Sequence, residues 1–138
     1  MADKLQFELV SPEKLLLSEP VGMVIVPGTE GNFGVLPGHA LFISTVRPGV
    51  IDVYEDRTVS ERIFVSGGFA EVTPERCTVL ADEAVALETA DRPAIEARVK
   101  AARDDLADAD NDAERTSATA ALAIAEALLA SLDARPYG

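Results

Sequence analysis

The stretch Ala84-Val-Ala-Leu-Glu-Thr-Ala-Asp91-Arg-Pro-Ala-Ile95 is where the chain changes its hydrophobic period. Before it, apolar residues recur at every second position, as on a half-buried strand; after it they recur every three or four, as on one face of a helix. Asp91 reads as a helix N-cap and Pro93 sits where the first turn tolerates proline. Alanine content shifts at the same place, with six alanines in the first 87 residues and sixteen in the last 51. The boundary is set near Leu87 to Asp91, which gives a domain over 1–87 and a C-terminal segment over 88–138.

Working outward toward the N-terminus, the first segment reads as short strands punctuated by turns. Leu5, Phe7 and Leu9 alternate with Lys4, Gln6 and Glu8, and Ser11-Pro12 ends that run. Val21 to Val26 is a second run, closed by Pro27-Gly28; Leu41 to Val46 is a third, followed by Arg47-Pro48-Gly49. Val50 to Tyr54 turns at Glu55-Asp56-Arg57 into Thr58 to Ser66, and Gly67-Gly68 breaks the ladder. Phe69 to Val72 then pairs with Cys77 to Ala81 across Thr73-Pro74-Glu75-Arg76. Turn signals every 8 to 12 residues or so, with no helical pattern between them, predict an antiparallel sandwich or flattened barrel of about eight to ten strands.

Working outward toward the C-terminus, Ile95, Val99, Ala102, Leu106 and Ala109 form one apolar stripe. Asp108, Asp110, Asn111 and Asp112 end that helix, and Asn111 with Glu114 resembles a capping box opening a second. The second stripe is Ala118, Ala121, Leu122, Ala125, Leu128, Leu129 and Leu132, and the short connection makes the helices antiparallel neighbours. The fold class expected is therefore α+β, an N-terminal antiparallel β-sandwich followed by a helical hairpin. Because the stripes are mostly alanine, little area is buried per residue, and the hairpin is expected to be weakly held.

Composition removes several functions. The 138 residues carry 24 acidic and 12 basic side chains, a formal charge of -12, so nothing supplies the phosphate neutralisation that nucleic-acid binding needs. A basic partner surface suits the chain better. Aromatic residues are 5% of the total and Trp is absent, so any stacking platform would be sparse. One cysteine, Cys77, fits a reducing compartment, and it reads as a half-buried strand residue. The chain opens without a charged and apolar leader pattern, and Ser117 to Leu132 is too short and too mild to span a bilayer, so a soluble protein facing the cytoplasm is expected, with no direct membrane insertion.

Catalytic and metal motifs fail in turn. Gly28, Gly31 and Gly34 are not followed by the Lys-Ser or Lys-Thr of a phosphate loop. Asp108, Asp110 and Asp112 imitate a calcium loop whose sixth position is Ala113 and whose twelfth is Thr119. His39 is the single histidine, which excludes a histidine-cluster metal site, and it reads as a surface or interface residue. Acidic pairs such as Glu55-Asp56, Asp82-Glu83 and Asp104-Asp105 read as solvated surface. No cofactor is expected, and no active site.

What remains is Gly28-Thr-Glu-Gly-Asn-Phe-Gly-Val-Leu-Pro-Gly-His39-Ala40, a glycine-rich loop around Phe33, Val35 and Leu36. Such a loop costs backbone entropy unless it holds a defined shape, and Phe33 between glycines reads as an exposed aromatic for a partner surface. Together with Arg47-Pro-Gly-Val-Ile51, Ser66-Gly-Gly-Phe-Ala-Glu-Val72 and Thr78-Val-Leu-Ala-Asp-Glu-Ala84, the loop makes the chain resemble the epsilon subunits of bacterial F-type ATP synthase over essentially its whole length.

That resemblance implies a rotor-stalk subunit that is not itself catalytic. Its sandwich, two five-stranded sheets in the family, would bind the gamma subunit and rest on the c-ring, passing ring rotation to the catalytic head. The c-ring contact would be Glu30, Gly31, Asn32, Phe33 and Gly34, with His39 nearby; the gamma contact would include Ala40, Gly67, Gly68, Phe69 and Glu71. The location implied is the cytoplasmic face of the bacterial inner membrane, as a peripheral part of the complex. In regulatory members, basic residues on the second helix engage the beta subunit and block rotation. Here the second helix, Glu114 to Leu132, has Arg115 against Glu114 and Glu126, so the hairpin is expected to be structural or a weak brake on ATP hydrolysis. Ala90, Ala94 and Ile95 stand where the family's ATP-binding motif would have other residues, so nucleotide sensing is not expected. Two other readings stand beside the rotor subunit: an independent adaptor domain, and an ATP-responsive regulator acting through the hairpin.

Overall fold

The computed structural model describes residues 4–136. Ten strands come first: β1 (Leu5–Val10), β2 (Leu15–Val21), β3 (Met23–Gly28), β4 (Gly31–Val35), β5 (Phe42–Val46), β6 (Gly49–Glu55), β7 (Thr58–Val65), β8 (Gly68–Val72), β9 (Arg76–Ala81) and β10 (Ala84–Ala86). A 3-10 turn over Leu87–Thr89 leads to α1 (Arg92–Ala107) and α2 (Asp112–Ser131). The chain divides into two compact units, one running to Glu88 and the other over Thr89–Arg135.

The strands fall into two sets of five. On one side β4, β3, β6, β7 and β10 pair in that order; on the other the order is β5, β8, β9, β1, β2. A single residue pair, Gly28 with Val46, carries the hydrogen-bonded path from one set to the other. All pairs are antiparallel except β1 with β9, which run parallel. The alternation read at Leu5, Phe7 and Leu9 puts those three side chains in the core, with Val24, Val26, Val53, Val65, Val72, Cys77 and Val79. Cys77 is wholly buried where a half-buried residue was expected, and burial pushes its thiol up to about 12, which leaves it unreactive.

Three strands depart from the sequence reading. Leu15–Val21 does not read as a strand because its exposed Leu15, Leu16 and Pro20 blur the alternation. Gly31–Val35 reads as loop because two of its five residues are glycine, yet it pairs along β3 from Gly28 with Gly31 to Val24 with Val35. Ala84–Ala86 is three residues long, too short to show a period. Gly68 does not break the ladder; it opens β8, paired to Val46 on one side and Ala81 on the other.

In the second unit each helix opens as its sequence predicts. Asp91 accepts from the Ala94 backbone N–H at 3.4 Å, and Asn111 accepts from that of Glu114 at 2.8 Å. The Glu114 carboxylate accepts back from the Asn111 side-chain amide at 3.3 Å. Ile95, Val99 and Ala102 of α1 and Ala118, Ala125 and Leu128 of α2 are buried, whereas Ala121 is exposed. The helices run antiparallel: Arg92 at the start of α1 reaches Asp133 past the end of α2 at 2.6 Å, and Arg103 reaches Glu126 at 3.2 Å. Both pairs are exposed and each is worth a fraction of a kcal/mol, roughly 0.2–1.

Candidate functional site

Two surfaces of the first unit collect the residues that the sequence singled out. The first is the β3–β4 hairpin, whose two-residue connection, Thr29-Glu30, follows from the pairing of Gly28 with Gly31. Glu30, Gly31 and Asn32 are exposed, and so is Gly34. The hairpin is fastened by a neighbour: Arg47 donates from one guanidinium nitrogen to the Gly28 carbonyl and from the other to the Asn32 side-chain oxygen, both at 2.5 Å. The Thr29 and Thr45 hydroxyls meet at 2.7 Å and the Thr29 N–H donates to the Thr45 carbonyl at 3.1 Å. Asn32 is thus held by the protein itself, and Glu30 is the charge left at the tip.

Phe33 is not the exposed aromatic expected. It is half-buried and packed on the core, because its ring lies over Gly28, where an added Cβ would come within 3.0 Å of it. Its ring also meets Phe42 edge to face. His39 sits beside them, its ring centroid 6.3 Å from that of Phe42. The His39 Nδ1 lies 2.7 Å from the Ala40 carbonyl, an acceptor only, so Nδ1 carries the proton in that contact. The loop bearing His39 is tied to the β8–β9 turn by the Gly38 N–H, which donates to the Pro74 carbonyl at 2.7 Å.

The second surface is the outward face of β5, β8, β9, β1 and β2. Cross-strand pairing runs Thr45 to Phe69, Phe69 to Leu80, Leu80 to Val10 and Val10 to Leu15, and paired residues share a face. The result is a continuous row in which Phe69 is 42% exposed, Leu80 51% and Leu15 56%. Ile43 pairs with Glu71 one step along, both exposed, and Leu41 next to the strand is 77% exposed. Scattered exposed leucines are ordinary; a contiguous row across one sheet face marks an interaction surface.

Of the residues read as the gamma contact, Phe69, Glu71 and Ala40 are exposed and lie on or beside this face. Gly67 is buried and Gly68 half-buried, with φ of 134° and 141°. A Cβ on Gly68 would stand 1.9 Å from the Leu80 carbonyl oxygen, so this glycine lets β8 approach β9 and sets Phe69 in place. These two glycines are scaffold beneath the surface. Sequence reading missed Leu80, Val10, Leu15, Leu41 and Ile43; the signal available was that Phe69 and Leu80 each stand one step out of phase with a core residue, Ala70 and Val79.

Among the described residues no cluster of three metal-ligating side chains occurs, and no helix is long and apolar enough to cross a membrane. The chemistry on offer is shape, apolar area and charge.

Comparison with known proteins gives a consistent result. Residues 4–87 match the family described as "ATP synthase, Delta/Epsilon chain, beta-sandwich domain". The chain is 60% identical to an ATP synthase epsilon chain of Rhodospirillum rubrum over 131 residues, covering 95% of this chain and 98% of that one. It is 48% identical to that of Maricaulis maris, covering 94% and 97%. Among solved structures it superposes on a chain of the Euglena gracilis mitochondrial ATP synthase, in a structure of OSCP, F1 and c-ring, with a TM-score of 0.79 and 29% identity, covering 94% of this chain and 81% of that one. A chain of the Tetrahymena thermophila mitochondrial central stalk and c-ring shares the fold, with a TM-score of 0.66 at 14% identity and coverage of 94% and 97%.

Proposed function

The chain belongs to the family of ATP synthase epsilon chains, and from that premise we propose that it is a non-catalytic component of the rotor stalk that couples c-ring rotation to the catalytic head through gamma. The observation that carries the reading is the exposed apolar row from Phe69 through Leu80 to Leu15, a surface of the kind that a permanent partner covers. We assign that row, with Ala40, Ile43 and Glu71, to gamma. We assign the β3–β4 hairpin tip, Glu30 to Gly34 with His39 beside it, to the c-ring. Torque passes through such contacts by shape and area, and no bond need form or break.

The hairpin is a weak brake at most in this reading. A tail that docks by charge on an acidic segment needs free basic side chains. The α2 helix carries one, Arg115, and its guanidinium is held by Asp112 one turn earlier at 2.7 Å. Its remaining charges, Asp112, Glu114 and Glu126, are acidic. Location at the cytoplasmic face of the bacterial inner membrane, peripheral and without its own membrane span, follows from the proposed partners.

The test is reconstitution. Membranes stripped of this subunit should regain coupled ATP synthesis when the full chain is added back, and a chain in which Phe69 and Leu80 are both serine should fail to restore it. Restoration by that variant as good as by the parent would remove the apolar row from the account.

A further inference from the structure

The inward-facing rows of the two five-strand sets are apolar until each reaches the same open edge. In one set the row runs Val35, Val24, Val53 and then Glu61; in the other it runs Val72, Cys77, Phe7 and then Glu19. Directly paired residues point to the same side of a sheet, so both carboxyls project into the gap between the sheets, where core side chains belong. Glu61 lines a cavity of about 280 Å³ whose other walls include Leu9, Leu17, Ile63 and Ala84. Its Oε2 is buried and has no hydrogen-bond partner among the described residues.

We propose that Glu19 and Glu61 hold one proton between them, and that this shared proton clasps the open edge of the sandwich, which loosens as the proton leaves with rising pH. Two ionised carboxylates are acceptors only, so they can neither bond to each other nor satisfy the buried oxygen. One proton drawn from water makes one of them a donor: its O–H bonds the other's oxygen and the orphan disappears. On deprotonation the proton returns to water and two like charges face each other across the gap.

The surroundings favour the protonated pair. Burial comes first in raising the Glu61 carboxyl above the ordinary value, then the hydrogen bond that its protonated form can make to Glu19, with the charges of Glu19 and Glu88 acting in the same direction. Glu88 faces it from the 3-10 turn, β10 contributes Ala84 and Ala86, β1 contributes Leu9 and β6 contributes Val53. Among the described residues the one cation lining the cavity is Arg62, which donates its Nε–H to the buried Asp52 carboxylate at 2.9 Å. Since the folded state holds the proton more tightly than the unfolded chain, the contribution is complete below the ordinary Glu range and is lost as pH rises through the folded value.

This inference concerns the sandwich alone and stands independently of the rotor assignment. The experiment is urea unfolding of the full chain across about pH 5 to pH 8, for the parent and for Glu61→Gln and Glu19→Gln. Each amide donates without titrating, so each variant should have a higher midpoint than the parent at the upper end, with the difference shrinking toward the lower end. A difference that does not change with pH overturns the proposal. Carboxyl carbon NMR titration gives a second readout: the Glu61 carboxyl should titrate above the ordinary Glu value, and Glu19→Gln should change that titration. An ordinary Glu61 titration, or one that Glu19→Gln leaves unchanged, would refute the shared proton.

Discussion

The rings of Phe33 on β4 and Phe42 on β5 meet edge to face, with centroids 5.1 Å apart and planes at 77°. The two residues belong to opposite strand sets, so this contact ties the hairpin of one set to the first strand of the other. The surface assigned above to the c-ring is thereby built on the core itself.

Phe33 and Glu30 share the proposed c-ring assignment but differ in what they do for stability. Phe33→Ala should lower the stability of the sandwich by roughly 2–3 kcal/mol, less than a fully buried Phe because it is half-exposed, and should weaken attachment to the membrane sector more than binding to gamma. Glu30→Gln, at the exposed tip, should leave the urea midpoint within about 0.5 kcal/mol of the parent while still weakening that attachment. Urea unfolding and sedimentation with c-ring-containing membranes check both.

Gly68→Ala is expected to be among the most damaging single changes in the chain. The added methyl meets a backbone carbonyl, which no side-chain rotation can relieve, at a φ that L-residues disfavour. A loss above about 3 kcal/mol, or no folded protein at all, is the outcome expected from thermal unfolding. An alanine at this position that melts like the parent would show that β8 and β9 are not held as closely as described.

Removing the helix caps tests how the second unit is held. Asn111→Ala should cost about 1 kcal/mol of hairpin stability, seen as an earlier loss of far-UV helical signal, while the strand signal melts as before. Cutting the chain after Leu87 should leave a folded sandwich that still binds gamma and change ATP hydrolysis by the assembled enzyme only slightly. A large rise in hydrolysis on truncation would mean that the hairpin brakes strongly by some means other than basic residues.

Much of this architecture was legible in local patterns. The period change at Leu87 to Asp91 marked strands from helices, and the caps at Asp91 and Asn111 were readable because capping is a local, short-range event. The strands that were missed share a different cause. β4 forms through pairing with β3 despite two glycines, and β2 survives exposed leucines because β1 beside it supplies the ladder. The same limit hid the apolar row, since Phe69, Leu80 and Val10 become neighbours only once β8, β9 and β1 lie side by side. The burial of Phe33 depends on the bare Cα of Gly28 beneath it, and the pairing of Glu19 with Glu61 on two sheets closing over one gap. Neither is written in sequence spacing.

The central claim, that the row through Phe69 and Leu80 binds gamma, is tested most directly by mixing the purified chain with purified gamma and following the pair by size-exclusion chromatography. The account predicts an equimolar complex with the parent chain and none with the Phe69→Ser, Leu80→Ser double variant, whose own unfolding midpoint stays near the parent's because both side chains are exposed. A folded parent chain that elutes separately from gamma, or a double variant that binds as the parent does, would contradict it.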